Sequence, residues 1–162
     1  MTSYGFRVYG IPAPQGSKIP GVSSKTGKMF VREQSGKTLE PWRDAVKRAA
    51  LTARGIDPDT GEAIPGAKSI DTLTGPIRLG VNFYVPRPAS VSVKKRPLPT
   101  VAPDLDKYLR GAGDALKAAG VYKDDAQVVS IQAVKVYGTD EAQSSPGAWI
   151  VISEIPNGIT QP

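Results

Sequence analysis

The chain has 162 residues, 40% of them hydrophobic, with 21 Lys and Arg against 15 Asp and Glu for a formal net charge of +6. That length suits one domain with a core of its own, and the basic balance favours a polyanionic partner. Cys and His are both absent, which excludes disulfides, thiolate nucleophiles, imidazole general bases, Ser-His-Asp triads and zinc held by sulfur or imidazole.

Chemistry is therefore left to carboxylates, lysines, hydroxyls or a metal held by oxygen. The opening MTSYGFRVYG lacks a basic stretch followed by an apolar one, and nowhere do about eighteen apolar residues run together. A soluble, cytoplasmic protein with no membrane partner is expected. Tyr4 to Ile11 alternates β-formers with other residues, and Pro12 and Pro14 close the run, so it reads as a first strand. Gln15 to Thr38 places Gly16, Gly21, Gly27 and Gly36 among Lys18, Lys25, Lys28, Arg32 and Lys37. This reads as a basic loop with room for a short hairpin through Met29 to Arg32.

Thr38 is suited to cap a helix whose first turn holds Glu40 and Pro41 and whose Trp42, Val46, Ala49 and Ala50 recur on one face up to Gly55. Ile56 to Thr74 lacks a period and is rich in Pro, Gly and Asp, as a surface loop is. Pro76 to Val85 alternates Ile77, Leu79, Val81, Phe83 and Val85 on one side, the pattern of a half-buried strand. Five prolines and the triplet Lys94, Lys95, Arg96 then mark residues 86–103 as a flexible basic arm. Asp104 to Ala119 carries Leu105, Tyr108, Leu109, Ala112, Ala115, Leu116 and Ala119 at helical spacing and stops at Gly120. Gln127 to Tyr137 and Ala148 to Ile155 read as two further strands. The expectation is one α/β (α+β) domain over 1–162. It has a mixed sheet of about four strands with two helices on one face, in the order β-α-β-α-β-β.

Asp104 and Asp106 stand at the mouth of the second helix, and Asp124 and Asp125 follow just beyond its end. Either pair alone is explained by ordinary structure: Asp near a helix N-terminus meets the dipole and free N–H groups, and Asp in a turn bonds its own backbone. If the fold brings the pairs together, three or four mutually repelling carboxylates are most readily tolerated around a divalent cation. Oxygen ligands without His or Cys select magnesium or manganese. Phosphodiester cleavage uses that equipment, a metal-activated water and a Lewis acid at the scissile phosphate. Asp106, Arg110 and Asp114 follow at four-residue intervals on one helical face. They form either a plain ladder of ion pairs or a phosphate contact through Arg110 with Asp114 orienting it. Lys18, Lys25, Lys28, Lys94, Lys95, Arg96 and, on the later strand, Lys135 are candidates for a DNA-binding face, with solvated charge as the alternative. Trp42 and Trp149, each in an apolar run, suit the core or a dimer interface better than base stacking. The glycine-rich fragments lack the GxxxxGK[ST] order, so no nucleotide cofactor is expected.

The run PDLDKYLRGAGDALKAAGVYKDDAQVVSIQAVKVYG, Pro103 to Gly138, resembles the conserved region of the RusA family of crossover-junction endodeoxyribonucleases. That pattern has an Asp-Leu-Asp-Asn segment, a Lys, Asp-Ala-Leu, then Asp-Asp-Ala-Gln-Val-Val and a strand containing Lys, here Lys135. The first strand leading into Pro-x-Pro, the Pro-Arg-Pro after the second strand and the basic stretch before the Asp pair also resemble family members, more loosely. The resemblance implies a homodimer that resolves Holliday junctions, or other branched DNA, by paired nicks. It implies magnesium held by Asp104, Asp106 and Asp125, with Asp124 the less certain member of its pair and manganese able to substitute. Two positions depart from the pattern: Lys107 stands at the family's Asn and Arg110 at its functional lysine. Arginine keeps the charge but neither donates a proton nor acts as a compact point charge, so Arg110 suits phosphate binding and Lys107 is the neighbouring source of an ammonium. The alternative these changes leave open is a catalytically weakened protein of the same fold that binds branched DNA.

Overall fold

The computed structural model describes residues 2–16, 18–33, 36–139, 141 and 144–156, with the backbone alone at 18, 19, 31–33 and 36. The expected first strand forms at Ser3–Tyr9 (β1) and turns Phe6 and Val8 into the core. The glycine-rich stretch is a real hairpin, Lys18–Val22 (β2) against Met29–Glu33 (β3), standing apart from the main sheet. It adds two strands to the expected order. Pro20 and Gly21 conceal β2 in the sequence, since both are poor strand residues. Gly21 pairs with Phe30, and a Cβ there would lie 2.6 Å from the Phe30 ring, so the aromatic side chain covers the place a side chain would fill.

The first helix, Gly36–Ala53 (α1), starts two residues before the expected Thr38 cap. Glu40 and Pro41 therefore fall past the first turn rather than in it as expected, and Pro41 stands inside the helix, where it has no N–H to give to the hydrogen-bond ladder. Its buried stripe is Leu39, Trp42, Val46 and Ala50. Ile77–Val85 (β4) alternates buried and open positions along its whole length. The second helix, Leu105–Ala118 (α2), buries Tyr108, Gly111, Ala112, Ala115 and Leu116. At Gly111 a Cβ would lie 3.2 Å from Leu39, so glycine lets α1 and α2 approach closely. Val128–Tyr137 (β5) and Gly147–Glu154 (β6) complete the main sheet, whose strand order is β1-β6-β4-β5. β6 runs antiparallel to both β1 and β4, while β4 and β5 are parallel and joined through α2, so the sheet is mixed as expected.

Both helices cover one face of this sheet, over Phe6, Val8, Ile77, Leu79, Val81, Phe83, Ile150 and Ile152. Phe83 is fully buried with its ring 5.4 Å from that of Tyr108, and side chains of this size stabilise by about 1.5–3 kcal/mol each when buried. The opposite face is open and carries Arg78, Asn82, Gln132 and Trp149. Trp42 is a core residue, but Trp149 is 41% exposed, because its position on β6 alternates with buried Ala148 and Ile150.

The loop after α1 is tied down by Arg54, the one charged side chain that is buried among the described residues. Its guanidinium donates to Ile70 O, Ala119 O and Thr72 Oγ1, joining the loop to the C-terminal end of α2. Residues 86–103 also follow a folded course. Arg87 lies 3.9 Å from the Tyr137 ring and donates to the carbonyls of Ser92, Arg96 and Pro97, drawing the segment around itself.

Candidate active site

Pro103 disfavours helix at the residue before it, and α2 starts just after. Two clamps fix this start. Lys135 Nζ on β5 donates to Val101 O at 2.8 Å and Pro103 O at 2.7 Å, and Gln15 N donates to Lys107 O at 3.0 Å. Asp104 occupies the N-cap position, yet its carboxylate accepts no capping hydrogen bond. The capping part of the ordinary explanation therefore does not apply to Asp104, although its carboxylate still stands at the positive end of the helix dipole. Its Oδ2 lies 3.6 Å from Lys107 Nζ, and Asp106 Oδ2 lies 3.8 Å from Arg110 Nη2. Both carboxylates are about two-thirds exposed, at 66% and 65%.

Gly120, with φ +66°, ends α2 and sends Val121 and Tyr122 back into the core. The turn that follows is organised by Gln127. Its Oε1 accepts from Lys123 N and Asp124 N, and its Nε2 donates to Leu73 O and Gly75 O, stapling the turn to the segment before β4. Asp124 caps the short 3-10 turn Asp125–Gln127 by accepting from Ala126 N, so the structural explanation does hold for it. Asp125 instead projects outward, 3.5 Å from Lys117 Nζ, which is also 3.8 Å from Asp124.

Asp106 and Asp125 thus reach the same place from opposite ends of α2. With Arg110, Asp114 and Tyr122 they line one cavity of about 420 Å³ between α2 and the β4–β5 side of the sheet, floored by Leu79, Val128 and Ile131. Asp104, Lys107 and Asp124 are not among its lining residues. Asp114 does not orient Arg110 as one reading expected. Its Oδ2 accepts from Arg43 Nη2 of α1 at 2.7 Å, because the helix packing brings α1 to that side. Burial, reinforced by the Asp125 and Asp114 carboxylates, pushes the Tyr122 phenol well above its usual range, and its hydroxyl donates to Gly113 O at 3.0 Å.

The donor set suits a hard divalent cation in kind, since Asp106, Asp114 and Asp125 open on one cavity as oxygen ligands with no nitrogen or sulfur among them. Each carboxylate is turned toward a neighbouring cation. Among the described residues no three acidic side chains stand close enough together to hold a metal ion as they are now arranged.

The basic candidates divide into two groups. Lys25 and Lys28 lie exposed at the β2–β3 turn, and Lys94 and Lys95 are exposed on the 86–103 segment. The Lys18 side chain lies outside the described residues. Arg96 is directed to Tyr137 Oη at 3.5 Å, and Lys135 is engaged by the two carbonyls before Asp104, so both face the protein. Sequence reasoning missed Lys117 and Gln127. Lys117 could have been found by extending the helical face seven residues beyond Arg110, whereas nothing in the spacing reveals the four hydrogen bonds of Gln127.

The model of the family described as endodeoxyribonuclease RusA matches residues 13–144, which span α1, the cavity and both acidic pairs. The chain belongs to the RusA endodeoxyribonuclease family. It is also similar to a protein of Bacillus subtilis (strain 168), described as uncharacterized protein YqaN, at 32% identity over 160 residues, covering 93% of this chain and 95% of the relative. RusA membership fits an open cavity that sets carboxylates and Arg110 over an apolar floor. Among the described residues no helix is long and apolar enough to cross a membrane.

Proposed function

We propose that this RusA family member is a magnesium-dependent endodeoxyribonuclease that resolves four-way junctions, or other branched DNA, by paired phosphodiester cleavage as a homodimer. Manganese is expected to substitute. The observation that carries the reading is the arrival of Asp106 and Asp125 on one cavity from the two ends of α2, beside Arg110. Asp106 and Asp125 would hold the metal at the cavity, and the uncapped carboxylate of Asp104, outside the lining, would have to turn toward them to join. When bound, magnesium supplies an activated water and charge stabilisation at the scissile phosphate. Arg110 presents a planar fork that suits phosphate oxygens, and Lys107 adds a compact positive charge one residue after Asp106. Asp124 and Gln127 hold the turn that presents Asp125.

A labelled four-way junction tests this. Wild-type protein with magnesium should give paired nicks, and Asp106→Asn should abolish them while junction binding stays intact or tightens, because the change removes a metal ligand and a negative charge facing phosphate. Comparable nicking by variant and wild type would remove Asp106 from the site. A junction bound but uncut by the wild type would instead favour the weakened binder, with Lys107 and Arg110 as the departures responsible.

A further inference from the structure

The helical face that begins with Asp106 continues past Arg110 to Lys117, seven residues further on and within about 20° of Arg110 on the helix wheel. Lys117 Nζ lies between the two carboxylates of the Asp124–Asp125 turn, at 3.8 and 3.5 Å. Lys107 and Arg110 each stand against a single carboxylate, Asp104 and Asp106. Three cations therefore stand against the four candidate carboxylates, and each carboxylate has one within 4 Å. All these groups are substantially exposed, between 41% and 67%. Exposed pairs at such distances are weak and exchange partners readily, unlike a buried pair, which would be locked.

The simplest account of Lys117 is a cation complementing the C-terminal end of a helix dipole. That account leaves unexplained why its ammonium is drawn to the turn that presents Asp125 to the cavity. We propose that Lys117 is a positioning residue of this site: it holds the Asp125 carboxylate in the metal-free protein and passes to a DNA phosphate when that carboxylate takes a metal. Metal and DNA then bind cooperatively, because phosphate offers the displaced cation a partner and the freed carboxylate is available to the metal. Lys107 and Arg110 behave in the same way on the other acidic pair. The proposal rests on the magnesium reading above.

Direct measurement of Mn²⁺ affinity, with and without a short unbranched duplex and corrected for metal bound by the duplex alone, tests it without any cleavage. Wild-type protein should bind Mn²⁺ about two- to fivefold more tightly with duplex present, the scale set by exposed ion pairs. Lys117→Gln should bind Mn²⁺ tighter than wild type by a similar factor without DNA and lose most of the gain from duplex, and Lys117→Arg should restore both values. Lys123→Gln is the control. It removes a charge beside the same turn, and that ammonium makes no ion pair among the described residues, so both affinities should move little. Equal shifts in Lys117→Gln and Lys123→Gln, or a duplex gain that survives in Lys117→Gln, would overturn the proposal while leaving metal binding in place. Wild-type protein that binds no Mn²⁺ in either condition would overturn the magnesium reading, and this inference with it.

Discussion

Tyr122 shows how one core residue couples stability to the charged cavity. Its ring is 2% exposed, its hydroxyl donates to Gly113 O, and burial with two nearby carboxylates disfavours the phenolate. A phenol whose folded-state pKa is raised contributes stability that is fully present below the unfolded value, about 10, and is lost as pH rises beyond it, since only the unfolded chain then releases its proton. Thermal melts from neutral pH to about 11.5 should therefore show stability falling steeply above about pH 10. Tyr122→Phe should flatten that fall while costing about 1 kcal/mol at neutral pH through the missing hydrogen bond. Some slope will remain, because burial also raises Tyr108 and Tyr4, the latter opposed by Arg54. An unchanged alkaline slope in Tyr122→Phe would show that the phenol is not shielded from water. The aspartates were legible because they bracket a strongly periodic helix. Their division of labour was not, since whether Asp104 or Asp124 caps depends on side-chain direction, which spacing does not encode.

At the scale of elements, the strands and helices with a clear period were readable to within a few residues. β4 and α2 are the plainest cases, each with a buried stripe at its own repeat. β2 was hidden by Pro20 and Gly21. In residues 86–103 composition reports prolines and charge but not that Arg87 turns inward onto Tyr137. That distinction changes what the basic triplet does. Lys94 and Lys95 are exposed, whereas Arg96 is turned toward Tyr137 Oη. Lys94→Ala with Lys95→Ala should lower junction affinity at moderate salt and flatten the slope of log K against log salt by about 0.7–0.9 for each phosphate no longer neutralised, with cleavage retained at saturating protein. An unchanged slope would show both lysines to be merely solvated. Arg96→Ala, by contrast, should act mainly on the packing of the segment and leave the slope nearly intact.

At the scale of the whole molecule, the described residues bring acidic side chains from both ends of α2 to one cavity, while the proposed symmetrical resolution of a four-way junction needs two cuts. The proposed homodimer would supply the second site in the matching orientation, because an isologous interface relates two copies as the junction relates its two scissile strands. Light scattering at micromolar concentration should give twice the chain mass. Mass alone does not show that both sites act within one complex, so mixing is the sharper measurement. Wild-type protein allowed to exchange subunits with Asp106→Asn should form mixed dimers that hold one competent site. Paired cuts should then fall as the square of the wild-type fraction, while junctions nicked on a single strand accumulate. If paired cuts instead fall in direct proportion to the wild-type fraction and no nicked junction builds up, each chain makes both incisions by itself. The dimer would then have no part in resolution, even if the mass were doubled.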